Sequence, residues 1–230
     1  MRNDRRELIL HGSIYKAIFV ISMPIILNFF IQQLYSLADA FWLGKLGTAE
    51  FASTSFTWPV IFLFNSIGMG LSIAATSLVS QLLGRDDVKN AQKYTDTLIN
   101  ISLIFSIVFM ILGYFTAEGI VNLMGANGEL HDFSVIYLKY SYFGIPFIFL
   151  YFIYSAVFSA QGKNTVPTVI STTFVILNMI LNPFFIFDEI PLIGLRGLGM
   201  GVKGAAVATV LTQALMLFFG FIHLRINKDF

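Results

Sequence analysis

Of the thirteen Asp and Glu residues, Asp39 alone is followed by further apolar sequence at the end of a long uncharged run, Ala40-Phe41-Trp42-Leu43. The other twelve acids stand in tails, in turns or at the borders of such runs. An ionisable side chain at membrane depth costs about 2.5–3.5 kcal/mol on insertion scales, so its retention there points to function. The plainer reading places Asp39 at the outer interface, paired with Lys45.

Three neutral polar residues fall at a matching depth. Asn178 and Asn182 are spaced i,i+4 and share one helix face. Counted inward from Phe187, they lie about nine and five residues deep, and Thr209 lies about eight residues from Gly201, each step rising about 1.5 Å. Asp39, Asn178, Asn182 and Thr209 can therefore form one layer in the outer half of a membrane. A carboxylate, two amide oxygens and a hydroxyl suit a hard cation or a proton. For an isolated Asn, interhelical hydrogen bonding worth about 0.6 kcal/mol is explanation enough. The four together, with a carboxylate among them, favour an ion site.

Gln32, Tyr35 and Asp39 step by three and four and form a polar stripe, with Asn28 and Gln33 on the same segment. Such a stripe must face protein or a water-filled cavity. Pro24 removes a backbone hydrogen bond and marks a bend point, or hinge, in the first helix.

Nothing else suggests chemistry. The chain has no Cys, and His11, His131 and His223 show no metal spacing. No nucleophile elbow, P-loop or H-E-x-x-H pattern occurs. Gly199-Met-Gly201-Val-Lys-Gly204 is formally G-x-G-x-x-G, but no strand precedes it. It reads as an outer loop that lets the last helix start close to its neighbours. An enzyme is not expected, and no cofactor.

The elements that must position these residues are plain in the charge distribution. Six uncharged runs span residues 17–38, 51–84, 97–117, 140–162, 164–187 and 204–222. Each is long enough for one crossing at about 20 residues. The second is a single helix with Pro59 near its start, or a helix with a buried lead-in. The first is too long and too Pro-interrupted for a cleavable signal. Hydrophobic residues are 57% of the 230 and charged residues 12%, about half the charge of a soluble chain. The net charge of +1 leaves no basic footprint for nucleic acid. The spacing predicts an all-α, polytopic six-helix bundle. The longest connections are expected at 84–96, 118–139 and 188–203.

Orientation follows from Lys and Arg. Arg2, Arg5, Arg6, Lys16, Arg85, Lys89, Lys93, Lys163, Arg225 and Lys228 fall on one side, and Lys45, Lys139, Arg196 and Lys203 on the other. Both termini are expected in the cytoplasm, with residues 1–13 and 226–230 as tails and 14–225 as a multi-pass lobe in the cell membrane.

The ordered set of motifs resembles the amino-terminal half of a MATE (multidrug and toxic compound extrusion) transporter. The resemblance is carried by Met23-Pro24 through Asp39, Gly44-Lys-Leu-Gly47, Gly68-Met-Gly70, Val79-Ser-Gln81, Leu123-Met-Gly125-Ala, Leu177-Asn178 through Asn182-Pro183, and Lys203-Gly204 through Thr209. It implies one six-helix lobe of a twelve-helix fold, either a fragment or a half-length product that needs a second lobe. It implies an antiporter that exports cationic, lipophilic compounds in exchange for H+ or Na+. The family's cation site maps onto Asp39, Asn178, Asn182 and Thr209 with the carbonyl of Ala205, so Na+ would sit at Asp39 and Asn178. Cavity-lining positions map onto Gln32, Tyr35, Trp42 and Tyr137. Many archaeal and bacterial relatives carry Asp where this chain has Asn182, which leaves one formal charge in place of two. The rival readings are a lipid-linked saccharide flippase of the related superfamily and a non-transporting membrane scaffold. The absence of Lys and Arg inside the six runs argues against the flippase.

Overall fold

The computed structural model describes residues 37–191 and 193–226, with residues 13, 15, 30 and 34 besides. The chain is helical over 37–46 (α1). It continues through α2 (Thr48–Gly84), α3 (Val88–Leu123), α4 (Glu129–Ser141), a three-residue 3-10 turn, α5 (Ile145–Ala160), α6 (Thr165–Ile186) and α7 (Gly201–Ile226). Among the described residues the only β pairing is a single bridge between Glu189 and Arg196. Among the described residues, five helical stretches are long and apolar enough to cross a membrane, α4 and α5 together making one of them. The crossing expected over residues 17–38 falls mostly outside the described residues.

The single long second helix holds, with Pro59 inside it. The expected connections are shorter than the charge distribution suggested. Only residues 85–87 separate α2 from α3, and only 124–128 separate α3 from α4. The reason is length. A helix of 36 residues is about 54 Å long, while hydrocarbon is about 30 Å thick. Lys89, Lys93, Asp96 and Glu118 are therefore helical residues on projecting ends. The fourth crossing also begins earlier, at Glu129, and is broken beside Pro146, whose ring supplies no backbone N–H.

Asp87 caps α3: its carboxylate accepts from the Asn90 backbone N–H at 3.2 Å and from Asn90 Nδ2 at 2.7 Å. Replacing Asp87 with Ala should cost about 1 kcal/mol, read as a lower thermal midpoint with unchanged membrane insertion.

Small residues set the helix approach. Gly113 lies against the ring of Tyr142, and Gly68 against Phe149. The hydroxyls of Ser72 and Thr76 on α2 donate across to the carbonyls of Phe152 and Ala156 on α5, at 3.1 and 3.3 Å. Polar links of this kind replace the hydrophobic drive that lipid cannot supply. Around Tyr142 and Phe149 the buried side chains of α3, α4 and α5 make one core. Tyr151, Phe158, Phe174 and Met216 make a second among α5, α6 and α7. Large apolar side chains such as Phe62, Ile73, Phe115 and Phe218 cover the outward faces, a surface suited to hydrocarbon.

Candidate functional site

The C-terminal end of α6 is locked to the loop before α7 by backbone. The terminal carbonyls of α6 would be orphans. Instead Phe184, Phe185 and Phe187 accept from the N–H groups of Leu198, Met200 and Gly199 at 2.8, 2.9 and 3.0 Å. This loop carries the chain straight into α7, and α6 packs along α7 more extensively than any other pair. Gly204 permits the closeness, because a Cβ there would meet the Phe185 carbonyl. The Gly-rich stretch thus serves packing, as its sequence context indicated.

This register brings the polar layer together. Asn178 and Asn182 are 2% and 0% exposed. Asn178 Nδ2 donates to Thr212 Oγ1 at 3.1 Å and to Thr209 Oγ1 at 3.4 Å. Asn182 Nδ2 donates to Asn178 Oδ1 at 3.1 Å and also to Asp39 Oδ1. Thr209 Oγ1 donates to the Ala205 carbonyl at 3.0 Å, and Thr212 Oγ1 to the Ala208 carbonyl at 3.0 Å. Asp39, half-buried on α1, is tied by this chain of bonds to α6 and through it to α7. All four residues of the expected layer are in one network, and the Ala205 carbonyl is at its edge.

An apolar cluster packs against the site on the side of the α6–α7 loop. Leu43, Ile186, Phe187, Val202 and Ala205 are buried there, with Trp42 and Tyr137 packed against them. The Trp42 and Phe187 rings meet edge to face, with centroids 6.0 Å apart. Lys45 sits over the Phe41 ring, 5.5 Å from its centroid. Pro24, Gln32 and Tyr35 lie outside the described residues.

Thr212 is the residue that sequence reasoning missed. It is buried and stands one turn beyond Thr209. The i,i+3 repeat of a hydroxyl on the α7 face that carries Thr209 was the available signal. Among the described residues no group of three His, Asp or Glu side chains could hold a metal ion. A separate concavity of about 120 Å³ between α3, α5 and α7 is almost wholly apolar. Its polar lining residues are Thr95, Gln161 and Tyr154, whose hydroxyl lies 2.8 Å from His223 Nδ1.

The MatE family model matches residues 24–184. The chain is a member of the MatE family. A probable multidrug resistance protein, YpnP of Bacillus subtilis (strain 168), is 28% identical over 94% of this chain and 47% of its own length. The multidrug export protein MepA of Staphylococcus saprophyticus is 25% identical over 100% and 49%. An FAD transporter of Shewanella oneidensis is 28% identical over 93% and 46%. This MatE chain spans about half the length of the curated relatives it matches. Solved structures agree on the fold. A multidrug resistance MATE transporter of the MOP superfamily in an outward-facing conformation superposes with a TM-score of 0.83. It is 26% identical, over 93% of this chain and 46% of that one. A MOP superfamily transporter from Pyrococcus furiosus, described as having a binding pocket of reversed polarity, gives 0.81 at 26% identity, over 94% and 46%. The matched proteins are transporters rather than enzymes, and the MatE lobe is an all-α, multi-pass membrane protein.

Proposed function

We propose that this MatE lobe is half of an antiporter that exports cationic, lipophilic compounds in exchange for H+ or Na+. Asp39 is the coupling carboxylate. The observation that supports this reading is the bond from Asn182 to Asp39, which joins the carboxylate to the buried polar side chains of α6. Asp39 is neutral with its ion bound, and charged when it opens to an outward cavity. Ion binding favours one packing of the first helix, bending at Pro24, and that packing displaces drug outward. Coupling of this kind needs only a difference in ion affinity between two states.

Gln32, Tyr35, Trp42 and Tyr137 line the drug cavity. A single carboxylate there favours a cationic substrate over the anionic cargo of a flippase. Residues 14–225 form the lobe and sit among the lipids of the cell membrane. Residues 1–13 and 226–230 are cytoplasmic tails. The second lobe is a carboxy-terminal half or another copy.

The test is efflux of a fluorescent lipophilic cation from drug-sensitive cells. Cells carrying the lobe together with its second lobe should retain less dye than empty cells. Equal retention in both, with the protein in the membrane, would sink the reading.

A further inference from the structure

The bonds among α1, α6 and α7 have a direction, and α7 sets it. Thr209 and Thr212 spend their hydroxyl protons on helix carbonyls one turn back, at 3.0 Å each. Toward α6 they can only accept. Asn178 must therefore turn its NH2 to α7, where it meets both hydroxyls at 3.4 and 3.1 Å. Its oxygen then faces α6, so Asn182 must also present NH2, at 3.1 Å. The second hydrogen of that NH2 goes to Asp39. At the end of the chain Asn182 Oδ1 is buried and has no hydrogen-bond partner among the described residues. An amide orientation is assigned from its partners, and this one gives every amide and hydroxyl donor of the network an acceptor.

A Na+ cage needs oxygens turned inward with lone pairs to spare, as hard cations take oxygen ligands. Here the group facing both Asp39 and Asn178 is a donor. Asn178 Oδ1 is already engaged by Asn182. Thr209 Oγ1 accepts from Asn178 and donates to Ala205. To seat Na+, Asn182 would have to rotate, breaking its bonds to Asp39 and Asn178 together. One formal negative charge is present at the site to repay that.

We infer that Asn182, oriented through Asn178 by Thr209 and Thr212, excludes Na+ from the Asp39 site, its NH2 standing where a cation would bridge the oxygens. This rests on Asp39 being the coupling carboxylate for its consequence in transport, though not for the binding test itself. Asn182 is a specificity-determining residue, and the exchange is not driven by a Na+ gradient.

The 230-residue chain in lipid nanodiscs should melt at the same temperature in NaCl as in choline chloride of equal concentration. Asn182→Asp adds a second carboxylate and removes the donor, and should gain a Na+-specific rise of about 2–4 °C. Asn182→Ser, whose oxygen can turn inward, should gain a smaller one and serves where the Asp variant fails to fold. A Na+-specific rise in the wild type that disappears in Asp39→Asn would overturn the inference. So would two folded Asn182 variants that both ignore Na+. Efflux by the complete transporter separates the two readings. Efflux independent of Na+ but also of Asp39 removes the coupling role while leaving the exclusion of Na+ intact. Efflux that needs both Asp39 and a Na+ gradient removes the exclusion and keeps the coupling role.

Discussion

Asp39→Asn should abolish energised efflux while leaving the protein folded and inserted. One charge moved through 100 mV is worth about 2.3 kcal/mol, which at about 1.4 kcal/mol per tenfold is a loss of about 50-fold in the drug gradient the transporter sustains. The same change should not damage the lobe. Asn at position 39 still offers an oxygen to Asn182 Nδ2, which donates to Asp39 now. It also removes an ionisable group at depth, a saving of up to about 2.5–3.5 kcal/mol on insertion scales. The expected combination is wild-type or higher thermal stability with dye efflux at the level of empty cells. Dye retention as low as with the wild-type protein would take Asp39 out of the mechanism.

Gly204→Ala should cost about 1–3 kcal/mol of stability, the usual range for overpacking. A Cβ at Gly204 meets the Phe185 carbonyl oxygen, with its carbonyl carbon at 2.7 Å. Both atoms belong to backbone held by the Met200 N–H, so neither can swing aside as a side-chain tip would. Relief comes from moving α7 off α6. The Asn178 to Thr209 bond, already 3.4 Å, should be the first to go, so efflux falls with stability. Gly119→Ala is the control. Gly119 is helical and exposed, with nothing within 4 Å of its would-be Cβ, so that change should be neutral or stabilising by up to about 1 kcal/mol. Equal thermal midpoints for the two variants would show that the α6–α7 approach is not tight at Gly204.

The candidate layer was legible because hydrocarbon leaves few places for polar groups. Asn178 and Asn182 share a face by helical period alone, and depth counted from Phe187 and Gly201 aligned them with Thr209 and Asp39. Helix ends were less legible. A charge marks where water begins, and helices such as α3 continue several residues past that point. Thr212 was harder to read because a Thr one turn from another is ordinary in a helix, where its hydroxyl can serve its own backbone. Its role appears only when Asn178 is found facing it across the helix pair. The direction of the Asn182 amide was beyond sequence reading altogether, since it depends on where two hydroxyl protons on another helix are spent. The Gly-rich stretch reads apart from a dinucleotide loop because no strand leads into it. That Gly204 in particular meets a carbonyl is a fact of packing.

A side-chain-resolution density map of the complete transporter in lipid tests the Asp39 network most directly. The Asp39 carboxylate should lie within hydrogen-bond distance of the Asn182 amide, with Asn178 directed to Thr209 and Thr212. A carboxylate turned to the lipid headgroups, away from Asn182, would contradict it.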